Sequence, residues 1–336
     1  METLTNGELT VKVSGHGAEL CSIMKGGKEY LWQADPAFWK RHSPVLFPIV
    51  GSLWNGKCRF DGREYEMSQH GFARDMDFTL LSLTENEVRY RLVSDEGTMA
   101  RYPFPFVLEI DYRLDGNKVT VLWSVTNSGE KEMHFQIGAH PAFFYPDFDQ
   151  ETSGRGFFLL ERRKNENAGT GNACTQDADA SIDEKRDVRP LEYVLIKEKG
   201  CADPDRKYPL ATLTEADIDA FPAETAANLR RQSVEGEILP LDIHTFDKDA
   251  LIFEDGQIAR VTLLTKTGRP WLGLSFDAPL VGLWSPVAKN APFVCIEPWY
   301  GRCDRAGYEG EFSGRDRVQH LAPARTFSAE YTIEIF

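Results

Sequence analysis

Apolar and polar positions alternate along most of this chain. LTVKV (9–13) alternates, and so do FVLEIDYRL (106–114) and KVTVLWSVTN (118–127) on either side of Asp115-Gly116-Asn117. A period of two puts every second side chain on one face, as a half-buried strand requires. AELCSIM and KEYLW flank Lys25-Gly26-Gly27, KCRF and REYEM flank Asp61-Gly62, and DFTLLSL and EVRYRLVS flank Thr84-Glu85-Asn86. Short turns of this chemistry join antiparallel neighbours. The last third returns to strands with HTFDKDALIF, ARVTLLTK, WLGLSFDAP, GLWSPV, FVCIEPW and FSAEYTIEIF. Alternation with turns about every ten residues predicts an antiparallel sandwich rather than βαβ units. No repeat of fixed period is evident. The expected fold class is all-β with little helix: one large antiparallel β-sandwich domain over residues 1–336.

Three stretches break the pattern. DPAFWKRHSPVLFPIVGSLW (35–54) is aromatic and apolar, but three prolines and a glycine destroy any period. It predicts a loop packed over one end of a sheet. Residues 161–190 are polar and nearly free of large apolar side chains, which predicts a surface insertion. TLTEADIDAFPAETAANLRRQ (212–232) predicts the main helical segment, with Thr214 and Asp217 spaced as a capping box and Pro222 preventing one long helix.

Composition narrows the function classes. A net charge of −14 and a pI near 5.1 argue against a nucleic-acid surface, which needs a basic stripe. Aromatic residues make up 12%, including 7 Trp, enough for walls that stack on flat ligands. The 6 Cys contain no Cys-x-x-Cys pair and fit no zinc spacing. No signal-like start and no run of 18 apolar residues occurs, so no membrane partner is expected. A cytoplasmic protein with reduced thiols is the expectation.

The candidate chemistry sits in three stretches. HFQIGAHPAFFYP (134–146) ends an apolar run on His140, whose following proline biases it to extended backbone at a strand end. An imidazole there serves as a proton donor or acceptor near neutrality; the plainer reading is a hydrogen-bonded core histidine. APFVCIEPWYGRCD (291–304) places Glu297 at the end of a buried strand beside Trp299. Desolvation there would raise its pKa and make it a base, or it pairs with Arg302 or Arg305 at a sheet rim. Gln69-His70-Gly71-Phe72-Ala73-Arg74 offers a donor, a close backbone approach and a cation, or is a turn with a surface arginine. Asp277 also ends a strand, where it would bind hydroxyls or merely stop the ladder. Trp284 and Trp299 are stacking walls or core. His16, His42, His244 and His320 lack a partner motif, and His134 is left out of the site. No phosphate loop, Gly-x-Ser-x-Gly elbow or His-Glu-x-x-His occurs.

QHGFAR (69–74), GAHPAFF (138–144) and CIEPWYG (295–301), in that order, resemble the aldose 1-epimerase (galactose mutarotase-like) family, and most of all its LacX-type branch. SPVLFPIVGSL (43–53) and LWSPVAKNAPF (283–293) are similar to that branch too. The resemblance implies a large β-sandwich with a sugar bound in a cleft on one sheet, and interconversion of the α and β anomers of an aldose. It implies His140 as general acid at the ring oxygen and Glu297 as base at the C1 hydroxyl. His70 would bind near the ring oxygen, and Asp277, Arg74 and Trp299 would line the sugar site. Neither a cofactor nor a metal is required, since one acid and one base suffice. Arg74 also occurs in relatives acting on hexose 6-phosphates, and a guanidinium fork suits phosphate. Competing readings are therefore a hexose-6-phosphate 1-epimerase, a non-catalytic carbohydrate-binding protein, and a glycosidase using Glu297 with Asp277 at about 5–10 Å.

Overall fold

Two large antiparallel sheets face each other in the computed structural model, which describes residues 1–163 and 189–336. The larger has nine strands, and its centre is the long pair Phe106–Asp115 and Lys118–Asn127, with Thr326–Ile335 alongside. Alternation explains the pairing. Val119, Val121, Trp123 and Val125 point inward and are buried, while the residues between them face outward. The all-β sandwich expected from the alternation is what the chain builds.

The smaller sheet carries the strands that matter for function, numbered here in chain order. They are β1 (Val45–Leu46), β2 (Ile137–Ala139), β3 (Ala142–Phe144), β4 (Glu192–Glu198), β5 (Cys201–Pro209), β6 (Leu251–Phe253), β7 (Leu280–Trp284) and β8 (Phe293–Tyr300). Their order across the sheet is β5-β4-β6-β7-β8-β2-β1, with β3 also pairing β8. β8 is buried along nearly its whole length. Val294 and Ile296 join the core between the sheets, whereas Phe293, Cys295 and Trp299 pack into separate clusters on the other face. Glu297 shares that second face by parity.

The irregular stretches resolve in detail. Residues 35–54 are not loop throughout, because Val45–Leu46 pairs with β2 as the sheet's edge strand, while Trp32, Phe38 and Trp39 pack against Phe293 and Cys295. Strand Gly154–Arg162 runs into the polar stretch 161–190, most of which lies outside the described residues. Helices occupy Glu215–Asp219 and Ala223–Ser233. Thr214 and Asp217 form a reciprocal capping box, and Pro222 separates the two helices. The described cysteines are free thiols.

Beneath the exit of β8 lies a buried ionic lattice. Arg315 and Asp304 pair with side chains 1% and 2% exposed. Arg302 Nε donates to Glu254 Oε1 at 2.7 Å. Arg315 also donates to Gln136 Oε1 at 3.1 Å, and that oxygen accepts the Val50 N–H at 3.1 Å. Asp304 Oδ2 accepts the Trp54 N–H at 2.8 Å. The lattice thus ties the exit of β8, the entry to β2 and the 50–54 segment together. Removing one partner of a buried pair strands the other charge. Asp304→Ala should cost about 3–5 kcal/mol, read as a lowered urea midpoint; a loss under about 1 kcal/mol would mean that the lattice is dispensable.

Candidate functional site

A register shared by three strands builds the site. Gly138 of β2 pairs with Trp299 of β8, and Ala142 of β3 pairs with Cys295. The same antiparallel register holds on both sides of the break at His140-Pro141, so His140 falls across from Glu297. On the other flank Gly282 of β7 pairs with Glu297. His140 Nε2 lies 3.2 Å from Glu297 Oε2, with side chains 9% and 2% exposed.

Trp299 forms part of this floor. A Cβ on Gly138 would meet its ring at 2.6 Å, and one on Gly282 would meet it at 2.5 Å. Only glycine on both neighbouring strands lets the indole lie there. Gly138 is thus a site of close approach.

The walls come from loops and from the end of β7. Trp39 stacks on the His140 ring at 4.7 Å and 28°, and Trp284 meets it edge-on at 5.5 Å. His70 approaches His140 edge-on at 5.5 Å. His70 and Gly71 both have positive φ, at 66° and 73°. A Cβ on Gly71 would come within 2.2 Å of the Phe47 carbonyl oxygen, so this turn requires glycine. The Gly51 N–H donates to His70 Nδ1 at 3.0 Å. A nitrogen that accepts carries no proton, so neutral His70 bears its proton on Nε2.

The electrostatics split the cleft into two ends. Arg74 and Arg41 both face Asp75, at 3.7 Å and 2.8 Å. Both guanidiniums act on the histidines as nearby positive charge. Burial, then the charges of His140, Arg74 and Arg41, holds His70 well below its ordinary pKa. Burial with the Arg74 charge pulls His140 down to about 3. Burial and the neighbouring Arg41 bring Arg74 itself down to about 10. At the other end, burial pushes Glu297 well above the usual carboxyl range, and the charge of Asp249 adds to it. The nearby Trp299 indole works against that rise. His140 Nδ1, Glu297 Oε2, Trp299 Nε1 and Arg74 Nε are all buried without a hydrogen-bond partner among the described residues. So many unsatisfied polar atoms in one place mark a site shaped for a polar ligand.

One predicted position has other surroundings. Asp277 ends a strand of the larger sheet, where its side chain is 87% exposed and paired with Arg163 at 2.9 Å. It is not brought to His140 and Glu297, and the paired-carboxylate reading loses its second carboxyl. Asp249, not singled out in the sequence, stands near Glu297 instead, just before β6. It lines a groove of about 600 Å³ with Lys197, Arg206 and Tyr208. That volume falls within the range of small-molecule sites. Its position just ahead of the apolar run ALIF is a strand-start signal, whereas Glu297, expected to end its strand, lies within β8, whose ladder continues past Pro298 to Trp299. Trp39 and Arg41 were hidden in the aperiodic 35–54 stretch.

Known proteins agree with this architecture. The sequence profile of the family described as Aldose 1-epimerase matches residues 2–159. Over 340 residues the chain is 30% identical to Protein LacX of Lactococcus lactis subsp. lactis, in its plasmid form, covering 99% of this chain and 98% of LacX. This chain belongs to the aldose 1-epimerase family.

Its place is in the LacX branch, and the solved structures of the epimerase family extend the match. A galactose mutarotase related enzyme from Lactobacillus acidophilus superimposes with a TM-score of 0.78 at 28% identity, covering 100% of this chain and 97% of the other. A galactose mutarotase-like protein from Lactobacillus casei gives 0.82 at 26% identity, with both chains fully covered.

A buried carboxyl with a raised pKa binds its proton more tightly when folded, so stability falls as pH rises above the ordinary carboxyl value. Gln is uncharged at every pH. Glu297→Gln should therefore raise Tm at pH 8, by about 2 °C for each kcal/mol relieved, with the gain shrinking towards pH 4. A Tm below wild type by the same amount at both pH values would contradict the assigned burial cost.

Proposed function

We propose that this protein is an aldose 1-epimerase that interconverts the α and β anomers of an aldohexose by acid/base ring opening and closure. The observation that carries the reading is the 3.2 Å approach of His140 Nε2 to Glu297 Oε2 inside a buried, aromatic-walled site. In a cyclic aldose the ring oxygen and the C1 hydroxyl share one carbon. An acid and a base held side by side therefore match them.

The protons balance as follows. Glu297 as carboxylate takes the C1 hydroxyl proton, and that O–H pair becomes the carbonyl bond. The C1–O5 bond breaks, and O5 takes a proton from the His140 imidazolium. The open aldehyde rotates about C1–C2 and recloses with both transfers reversed. His70, with its proton on Nε2, donates towards the ring oxygen. Asp249 accepts from sugar hydroxyls, Trp39 and Trp284 wall the ring, and Trp299 forms the floor. Each proton-transfer group contributes about 10²–10⁴ in rate.

A second reading has one specific observation behind it. Arg41 and Arg74 both pair with Asp75, Glu19 also acts on Arg74, and Arg74 Nε is buried without a hydrogen-bond partner among the described residues. That end of the cleft suits an anionic substituent, so a hexose phosphate is the alternative substrate. Anomer exchange followed by NMR on glucose, galactose and their 6-phosphates separates the two. Acceleration of free sugars supports the first reading, and acceleration of the phosphates alone supports the second. Line broadening without exchange would indicate a binding protein that does not turn over.

His140→Ala and Glu297→Gln should each lower exchange by about 10² or more while circular dichroism stays unchanged. Near-wild-type rates in either variant would remove the assignment.

The pH profile follows from the pair acting with one shared proton. A second proton adds only at acid pH, because His140 is depressed to about 3. The proton already held leaves late, because Glu297 is raised. Polarimetry, corrected for spontaneous exchange, should show kcat/KM flat across neutrality. Its acid limb should lie well below the ordinary histidine value of about 6.5. A limb centred on that value would mean that the rate-controlling imidazole is exposed.

A further inference from the structure

A second constellation lies outside the cleft, on the ribbon formed by Met133–Phe135 and Gln319–Leu321. His134 and His320 are directly opposite each other in its register. Their Nδ1 atoms converge to 3.1 Å. Glu132 Oε2 lies 3.5 Å from His320 Nδ1 and 3.9 Å from His134 Nδ1. The His134 side chain is 16% exposed and edge-packed on Phe104 at 5.8 Å, so its ring is held in place. Its backbone carbonyl accepts the Tyr102 hydroxyl at 2.7 Å.

We propose that His134, His320 and Glu132 form a surface binding site for a divalent transition metal such as Zn²⁺, with one or more coordination positions open to solvent. The distances carry this. Bonds of about 2.0–2.1 Å to a tetrahedral ion put its ligand atoms roughly 3.3 Å apart. The three separations of 3.1, 3.5 and 3.9 Å bracket that edge. A histidine–histidine hydrogen bond alone would explain the first distance. It does not explain a carboxylate oxygen that approaches both nitrogens beyond hydrogen-bonding range. Two imidazoles and a carboxylate suit Zn²⁺, Co²⁺, Ni²⁺ or Cu²⁺ rather than Mg²⁺ or Ca²⁺. The charged neighbours Lys131 and Asp61 pair with each other at 2.9 Å. The site is distinct from the His140, Cys295 and Glu297 group in the cleft. If filled, it would cross-link two segments 186 residues apart, one of them leading directly into β2 and His140.

The test uses the full chain, stripped with chelator and titrated with ZnCl₂ at pH 7.5 by calorimetry, in a His140→Ala background so that the cleft cannot contribute. One zinc should bind. His320→Gln and Glu132→Gln alter exposed side chains and should leave the apo Tm unchanged. The first should weaken zinc binding by more than about 10-fold, and the second by less. With Co²⁺ as probe, visible d–d bands should appear and be lost in His320→Gln. Imidazole ¹⁵N shifts should show both Nδ1 atoms, not Nε2, taking the metal. Zinc affinity unchanged in His320→Gln, or no stoichiometric uptake by the parent chain, would overturn the proposal.

Discussion

Two arginines shut away from water hold the site's foundations. Arg302 and Arg315 each meet a buried carboxylate, and between them they bond segments from β2, β8 and the 50–54 region. Buried charge is tolerated there because each charge is paired and hydrogen-bonded. Behind β8 the polar groups are matched; on the cleft face of the same strand they are not. Glu297 and His140 keep unsatisfied atoms beside unsatisfied Trp299. The lattice keeps the strands from relaxing towards those orphaned groups. The cost of burying those polar groups is thus borne by a rigid frame.

The His140–Glu297 distance is a property of the sheet. Because β2 and β3 share one register against β8, the Glu297–His140 approach depends on backbone hydrogen bonds rather than on loop conformation. Loops add what a sheet cannot. Trp39 covers the imidazole, and the left-handed turn at His70-Gly71 aims the second histidine. Glu19 anchors the first of these loops by accepting the N–H groups of His42 and Ser43 at 2.9 and 3.0 Å.

Much of this was legible in the chain. Strand alternation is a local signal that each strand carries itself, so the sandwich could be read residue by residue. His140 and Glu297 could be read because both sit where an apolar run stops at a proline. The same strand-end logic selected Asp277, which ends a strand of the wrong sheet; sequence does not say to which sheet a strand belongs. Trp39 and Arg41 lay in an aperiodic stretch that offers no face to assign. The Gly138–Trp299 and Gly282–Trp299 contacts, like the pairing of His134 with His320, join residues far apart in sequence. Such contacts exist only once the register is set, and spacing rules for cysteine and histidine cannot see them.

The polarity of the cleft bears on how the pair works. Arginines at the histidine end disfavour a second positive charge, and Asp249 at the glutamate end disfavours a second negative one. The empty site therefore prefers neutral His140 beside protonated Glu297. Moving that proton to the imidazole gives the ion pair from which the proposed ring opening would start, at no change in total charge. The neutral pair is also the state that the proposed opening would leave behind. On that proposal, a site biased towards it would stabilise the open-chain side, which is the uphill side for an aldose. A sugar whose hydroxyls satisfy Asp249 and whose oxygens satisfy the arginine end weakens both biases as it binds. Binding would then bring the ion-paired and neutral forms closer in energy, the condition under which proton transfer in either direction meets the lowest barrier.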